Sequence, residues 1–91
     1  MIFRMKQATF SEVTEKVRET VFRSPLADRL SGISVDENDD ELGGEFLRVV
    51  LEVKGLNTFK LDQMTPLVQS IEDAVAEIDE RFASVRLAEA A

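Results

Sequence analysis

The residues best suited to bind or react form an acidic run in the middle of the chain, Asp-Glu-Asn-Asp-Asp-Glu. Asp36, Asn38 and Asp40 occupy positions one, three and five of a calcium-loop pattern. That pattern needs a glycine at position six and a glutamate at position twelve, where this chain has Glu41 and Leu47. Because both positions that set the loop geometry differ, the run predicts a solvated hairpin loop, with docking of a basic partner as the functional alternative.

The residue types that carry most enzyme chemistry are missing from the sequence. The 91 residues include no cysteine and no histidine, which removes thiolate nucleophiles, disulfides and imidazole proton transfer. Serines and threonines are present, but only a lysine or carboxylate could serve them as a base. We therefore expect no enzymatic activity, no cofactor and no metal site, and keep an enzyme that works with carboxylates alone as the least favoured reading.

The charge balance indicates which partners the protein can accept. Eighteen acidic and eleven basic residues give a net charge of −7, and the excess of acid lies after residue 30. Such a chain repels phosphate backbones and anionic membranes, whereas it attracts a basic protein. The first ten residues contain no long apolar stretch, so we expect no signal peptide and a cytoplasmic protein.

Two amphipathic helices are predicted. The first runs from about Phe10 to Arg23, where Thr9 and Glu12 have the spacing of a capping box. The second begins between Asp62 and Pro66. Apolar residues then recur at intervals of three and four, which predicts that they face the core. These residues are Leu61, Met64, Val68, Ile71, Val75, Ile78 and Phe82.

Three strands complete the expected fold. Residues 33–35 and 45–54 alternate in polarity and flank the acidic loop at 36–44, while residues 83–87 form a short third strand. The chain is therefore predicted to be one α+β domain over residues 1–91 with the order α-β-β-α-β. Both helices pack on one face of a three-stranded sheet. The third strand lies beside either the first or the second, and residues 1–8 and 88–91 are expected to be flexible.

The second strand has one fully apolar face, and its other face is mixed. Phe46 and Val50 lie on the mixed face, which no predicted helix covers. Two copies could pack such faces together, so a homodimer or a small complex with another protein is expected. The predicted partner-binding residues are Asp36, Glu37, Asp39, Asp40, Glu41, Phe46 and Val50.

A resemblance that covers about half of the chain lies in the acidic run 36–41, Gly44-Glu45, the strand residues 47–50, Leu61-Asp62 and Arg81-Phe82. In these residues the chain resembles a family of short uncharacterised prokaryotic proteins. Some such proteins resemble operon-encoded partners in toxin–antitoxin-like pairs, and the resemblance implies an antitoxin-like protein that neutralises a basic partner. The element order is also similar to the KH-like arrangement of some ribosome-binding factors, although the basic GxxG loop of KH domains is missing. An RNA- or ribosome-associated accessory factor is the alternative function.

Overall fold

The structure is a computed structural model that describes residues 8–39 and 41–90. Within these residues the chain forms two α-helices and three strands, joined in part by single turns of 3-10 helix at Ala27–Arg29 and Leu56–Thr58. The helices and strands are α1 (Phe10–Phe22), β1 (Leu30–Asp39), β2 (Glu45–Val53), α2 (Leu61–Ala76) and β3 (Phe82–Glu89). The predicted order α-β-β-α-β is confirmed.

The sheet is mixed, with β2 in the centre. β1 pairs with β2 antiparallel, and β3 pairs with the other edge of β2 in parallel. The position of the third strand, which the sequence left open, is therefore beside the second. A parallel neighbour needs a crossover connection, and α2 provides it.

Both helices pack on the same face of the sheet, and the core lies between the two layers. Alternation along β2 sends every second side chain into this core. Valines three or four residues apart form the buried stripe of α1. The buried apolar residues are Val13, Val17, Val21, Leu26, Leu47, Val49, Leu51, Val53, Leu67, Ile71, Val75 and Ala83.

The start of α1 agrees with the sequence prediction. The backbone N–H of Glu12 donates to Thr9 Oγ1, and the backbone N–H of Thr9 donates to the Glu12 carboxylate, both at 3.1 Å. These two bonds satisfy amides that the helix cannot pair internally. The hydrogen bond from the Thr9 backbone is the main cause that lowers the pKa of Glu12.

The acidic loop is shorter than predicted. β1 continues to Asp39, so residues 36–39 belong to a strand and only the residues between Asp39 and Glu45 connect β1 to β2. Cations near the strand explain the extension, because Asp36 lies opposite Arg48 and Glu37 bonds to Arg81. Gly43 lies in the connection with φ of 84°, a conformation that side-chain-bearing residues rarely adopt.

The apolar stripe predicted for the second helix is only partly buried. Ile71 and Val75 are in the core, but Leu67 is buried there in place of Met64 and Val68, which are half-buried. The helix starts at Leu61, earlier than predicted, because the Gln63 side chain accepts the backbone N–H of Lys60. Neither Asp62 nor Thr65 is the N-cap.

The two ends of the described chain are tied to the fold. The Ala8 amide donates to Asp79, and the Ala90 amide donates to the carbonyl of Val53. Ala88 and Glu89 are the last residues of β3. Residues 1–7 and Ala91, where the sequence predicted flexible ends, lie outside the described residues. No described helix is long and apolar enough to cross a membrane.

Candidate functional site

The sheet face opposite the helices is the main open surface of the fold. No element within residues 8–39 and 41–90 packs on this face, which carries every second residue of each strand. The strand register arranges its side chains in rows across the sheet. From the hairpin end these rows are Asn38–Phe46–Phe82, Asp36–Arg48–Ser84, Ser34–Val50–Arg86 and Gly32–Glu52–Ala88.

Two phenylalanines lie side by side at one end of this open face. Phe46 of β2 and Phe82 of β3 are register partners, and Phe82 is 63% exposed. The Arg48 guanidinium lies 6.0 Å from the centre of the Phe46 ring, which is the limit of a cation–π contact. Exposed aromatic side chains supply much of the binding energy in protein interfaces, so this pair is a candidate contact.

Exposed carboxylates lie at the same end of the sheet as the aromatic pair. Asp39 and Glu45 are exposed residues at the ends of β1 and β2, on strand positions of the opposite pleat from Phe46, and Glu41 is exposed in the connection between them. We call the surface formed by Asp39, Glu41, Glu45, Phe46 and Phe82 the hairpin-end surface. It combines three acidic groups with two aromatic rings.

The acidic part of the hairpin-end surface contains an unfavourable pair. Asp39 and Glu45 are directly opposite each other in the antiparallel register. Like charges in that position repel and destabilise the strand pair. A cationic group placed between them would remove the repulsion, so this end of the hairpin is suited to a basic ligand.

The rest of the open face has balanced charge. Two cationic residues, Arg48 and Arg86, and two anionic residues, Asp36 and Glu52, occupy strand positions on this face. The chain as a whole carries −7. The open face therefore does not attract phosphate strongly, and the exposed carboxylates of Asp39, Glu41 and Glu45 lie at the hairpin end of the sheet.

Glu37, which the sequence assigned to partner binding, takes part in an internal ion cluster. Its carboxylate accepts a hydrogen bond from Arg81, whose side chain also bonds to Asp79 through Nε at 3.0 Å and Nη2 at 2.6 Å. Glu37 lies opposite Leu47 on the helix-covered face, so the strand pleat turns it away from the open face. Its predicted role in partner binding is therefore not supported by its position.

Asp79 organises this cluster from a fully buried position, with 0% exposure. Besides Arg81, its carboxylate accepts the backbone amides of Arg81 and Ala8, each at 2.9 Å. Burial acts to raise the pKa of Asp79, but the hydrogen bonds from Arg81 and Ala8 outweigh it and lower the pKa to about 2. The hydrogen bond to Asp79 in turn raises the pKa of Arg81. The cluster therefore ties Ala8 and β1 to the segment that follows α2.

The remaining predicted site residues are divided between two places. Asp39, Glu41 and Phe46 belong to the hairpin-end surface, whereas Val50 and Asp36 lie further along the open face. Val50 is half-buried between Ser34 and Arg86, and Asp36 is exposed opposite Arg48. Asp40 lies outside the described residues.

Sequence reasoning missed two features of the site. Phe82 was assigned to the helical stripe, yet α2 ends at Ala76 and Phe82 begins β3. The alternation of Ala83, Val85 and Leu87 could have placed Phe82 on the opposite face. No sequence signal identifies the cluster in which Arg81 bonds to both Asp79 and Glu37, because the contact with Glu37 depends on the tertiary fold.

The described residues contain no group of three or more carboxylate, histidine or cysteine side chains close enough to hold a metal ion. Asp36 and Asn38, two positions of the calcium-loop pattern, are strand residues that lie opposite Arg48 and Phe46. The loop conformation that the calcium pattern requires is therefore absent at these two positions.

Comparison with known proteins identifies the fold. Neither a protein-family model nor a curated protein matches the chain. A solved structure that matches is the metal-bound C-terminal domain of the CzcD transporter from Thermotoga maritima. The alignment has 11% identity and a TM-score of 0.55, and covers 87% of this chain and 88% of the other. At this identity the likeness shows a shared fold.

Proposed function

We propose that this protein is a non-enzymatic interaction domain that binds a basic partner protein through the hairpin-end surface. The observation that carries the proposal is that an aromatic pair on the open face and a pair of opposed, exposed carboxylates lie at the same end of the sheet. The rings supply apolar contact, and the carboxylates select a cationic partner. Such a division between apolar anchors and charged rim is typical of protein interfaces.

Electrostatics favours a protein over a nucleic acid as the partner. The net charge of −7 repels phosphate at long range, and the carboxylates of Asp39, Glu41 and Glu45 repel it at the surface itself. The same charges speed the encounter with a basic protein and lower its dissociation rate. We do not propose a metal site like that of the CzcD domain for this chain, because the chain has no histidine or cysteine to bind the metal.

The test is affinity capture with the purified chain as bait, in low and in high salt, followed by reconstitution with the identified partner. We expect one stoichiometric basic protein whose binding weakens at high salt, where charges are screened within about 3 Å at 1 M. The Phe82→Ala variant should weaken the reconstituted complex tenfold or more, by about 1.4 kcal/mol.

A matched variant distinguishes the surface from general damage. Phe22 at the end of α1 is 59% exposed, close to the 63% of Phe82, and lies on the helical layer. Phe22→Ala should leave the affinity unchanged. An equal loss of affinity in Phe82→Ala and Phe22→Ala would contradict the assignment of partner binding to the hairpin-end surface. Retained nucleic acid without a protein partner would contradict the proposed function, and absorbance at 260 nm would reveal it readily because the chain has no Trp or Tyr.

A further inference from the structure

The two edges of the sheet differ in their protection against strand pairing. The β1 edge carries the carboxylates of Asp36, Glu37 and Asp39, and its register shifts near Gly32. Charges and irregular register are the common devices that stop an edge from pairing with another chain. The β1 edge is therefore protected against pairing with a strand of another chain.

The β3 edge has few of these devices. Its eight residues, Phe82 to Glu89, include no proline, and their register with β2 is unbroken. Arg86 is the single charge before the final Glu89. A long, regular and mostly uncharged edge is a template for an additional strand.

An apolar groove runs beside the same edge. It has a volume of about 330 Å³ and is lined by Leu56, Leu61, Met64, Thr65, Val68 and Leu87. Three apolar residues of α2 line this groove, Leu61, Met64 and Val68, and all three belong to the stripe that the sequence predicts to face the core. In the structure Leu61 is 75% exposed, and Met64 and Val68 do not belong to the described residues that pack against the buried core. The groove lining contains no charged residue.

We infer that β3 pairs antiparallel with β3 of a second copy of this chain, and that the apolar groove is buried in the resulting dimer. The register centred on Val85 makes the strand complementary to itself. In this register large residues oppose small ones, since Phe82 lies opposite Ala88 of the second copy and Leu87 opposite Ala83. Arg86 lies opposite Ser84 of the second copy, so the two arginines are not directly opposed.

Charge and symmetry explain why the second copy is the occupant and why assembly ends at two. A two-fold axis uses the same edge of both copies, so the interface is closed. The uncharged groove lets two chains of net charge −7 meet where repulsion is weakest. The dimer then exposes two β1 edges, whose carboxylates oppose further pairing. Asp39, Glu41, Glu45 and Phe46 of the hairpin-end surface lie outside β3 and stay accessible on each copy, while Phe82 borders the dimer interface.

The first test is the mass of the full chain in solution as a function of concentration, measured by sedimentation. We expect a dimer of twice the 10.2 kDa chain mass. Leu61→Lys should raise the dimer dissociation constant about a hundredfold, because each dimer loses two buried leucines and must bury two ammonium groups. The control is Leu42→Lys, since Leu42 is 96% exposed in the hairpin. Both variants make the net charge less negative, so a general change in repulsion cannot explain a difference between them.

The second test is disulfide formation between single-cysteine variants of this cysteine-free chain. Ser84→Cys and Arg86→Cys, mixed in equal amounts, should form the mixed disulfide faster than either forms its own. Directly opposite residues on antiparallel strands have Cα atoms about 4.5–5.5 Å apart, within disulfide range. Arg48→Cys on the central strand, mixed with Arg86→Cys, is the control and should cross-link slowly.

Each outcome decides the inference. A dimer that Leu61→Lys weakens and Leu42→Lys does not, together with the Ser84–Arg86 cross-link, supports it. A monomer at every concentration overturns it, and so does a dimer that survives Leu61→Lys or cross-links through Arg48→Cys. Unchanged far-ultraviolet circular dichroism of the monomeric variant excludes unfolding as the cause. None of these results depends on the basic partner.

Discussion

Replacement of Asp79 by asparagine should be among the most damaging single polar substitutions in this fold. The carboxylate accepts four hydrogen bonds, from the Ala8 amide, the Arg81 amide and two nitrogens of the Arg81 guanidinium. Asparagine offers one oxygen and presents an NH₂ group to donors. Because Arg81 is only 9% exposed, its charge would stay buried with Glu37 as its remaining ionic contact. We expect a loss of about 3 kcal/mol in the free energy of unfolding at pH 7.

The pH dependence gives this prediction a specific signature. The pKa of Asp79 is about 2 in the folded protein against an ordinary value of 3.8. A carboxyl whose pKa is lower when folded stabilises the protein above its unfolded pKa, and the stabilisation is lost as pH falls through the folded pKa. At 1.36 kcal/mol per pH unit the contribution is about 2 kcal/mol, lost between about pH 4 and pH 2. The Asp79→Asn variant should not show this loss of stability between about pH 4 and pH 2.

Urea unfolding followed by far-ultraviolet circular dichroism is the suitable assay, because urea is uncharged and the chain has no Trp or Tyr for fluorescence. With a slope of roughly 1 kcal/mol per molar, the midpoint of Asp79→Asn should fall by roughly 3 M at pH 7. Glu80→Gln, at the exposed neighbouring acid, is the control. The double variant Asp79→Asn/Arg81→Met should recover part of the loss because it removes the unpaired charge.

Two results would refute the reasoning about Asp79. One is a loss below about 1 kcal/mol at pH 7, which would mean that the cluster contributes no more than a surface ion pair. The other is an Asp79→Asn variant that is as sensitive to acid as the original protein between pH 4 and pH 2. In that case other carboxyls would carry the acid response.

Further predictions concern the elements that position the site, and each is measured as a shift of the urea midpoint at pH 7. Asp39→Asn should stabilise the protein by about 0.2–1 kcal/mol, since it removes the repulsion with Glu45, while it weakens partner binding. Ile71→Ala should cost about 2–5 kcal/mol because it opens a cavity between α2 and the sheet. Thr9→Ala should cost about 1 kcal/mol through loss of the α1 cap. Gly43→Ala should destabilise the hairpin by about 1 kcal/mol because of the positive φ.

The parts of the fold that follow from local patterns were accessible from the sequence. Period-two alternation identified β2 and placed Phe46 and Val50 on the face away from the core. The spacing of Thr9, Glu12 and the α1 valines identified the cap and the buried stripe. In each case one residue pattern determines a hydrogen bond or a face without reference to the rest of the chain.

The errors concern residues whose positions depend on distant partners. The acidic run looks like a loop because its charges favour solvent, yet β1 extends to Asp39 beside Arg48 and Arg81. The stripe from Leu61 to Phe82 has helical spacing, yet α2 ends at Ala76. Periodicity shows that residues share a face but not whether the sheet is large enough to cover that face. Here the first half of the stripe extends beyond the buried core.

The measurement that tests the central claim most directly is a map of amide chemical-shift changes in the ¹⁵N-labelled chain as the purified basic partner is added. We expect the largest changes at Asp39, Glu41, Glu45, Phe46 and Phe82, and we expect them to diminish at high salt. Changes centred instead on the outer surfaces of α1 and α2, with the hairpin unaffected, would contradict that claim.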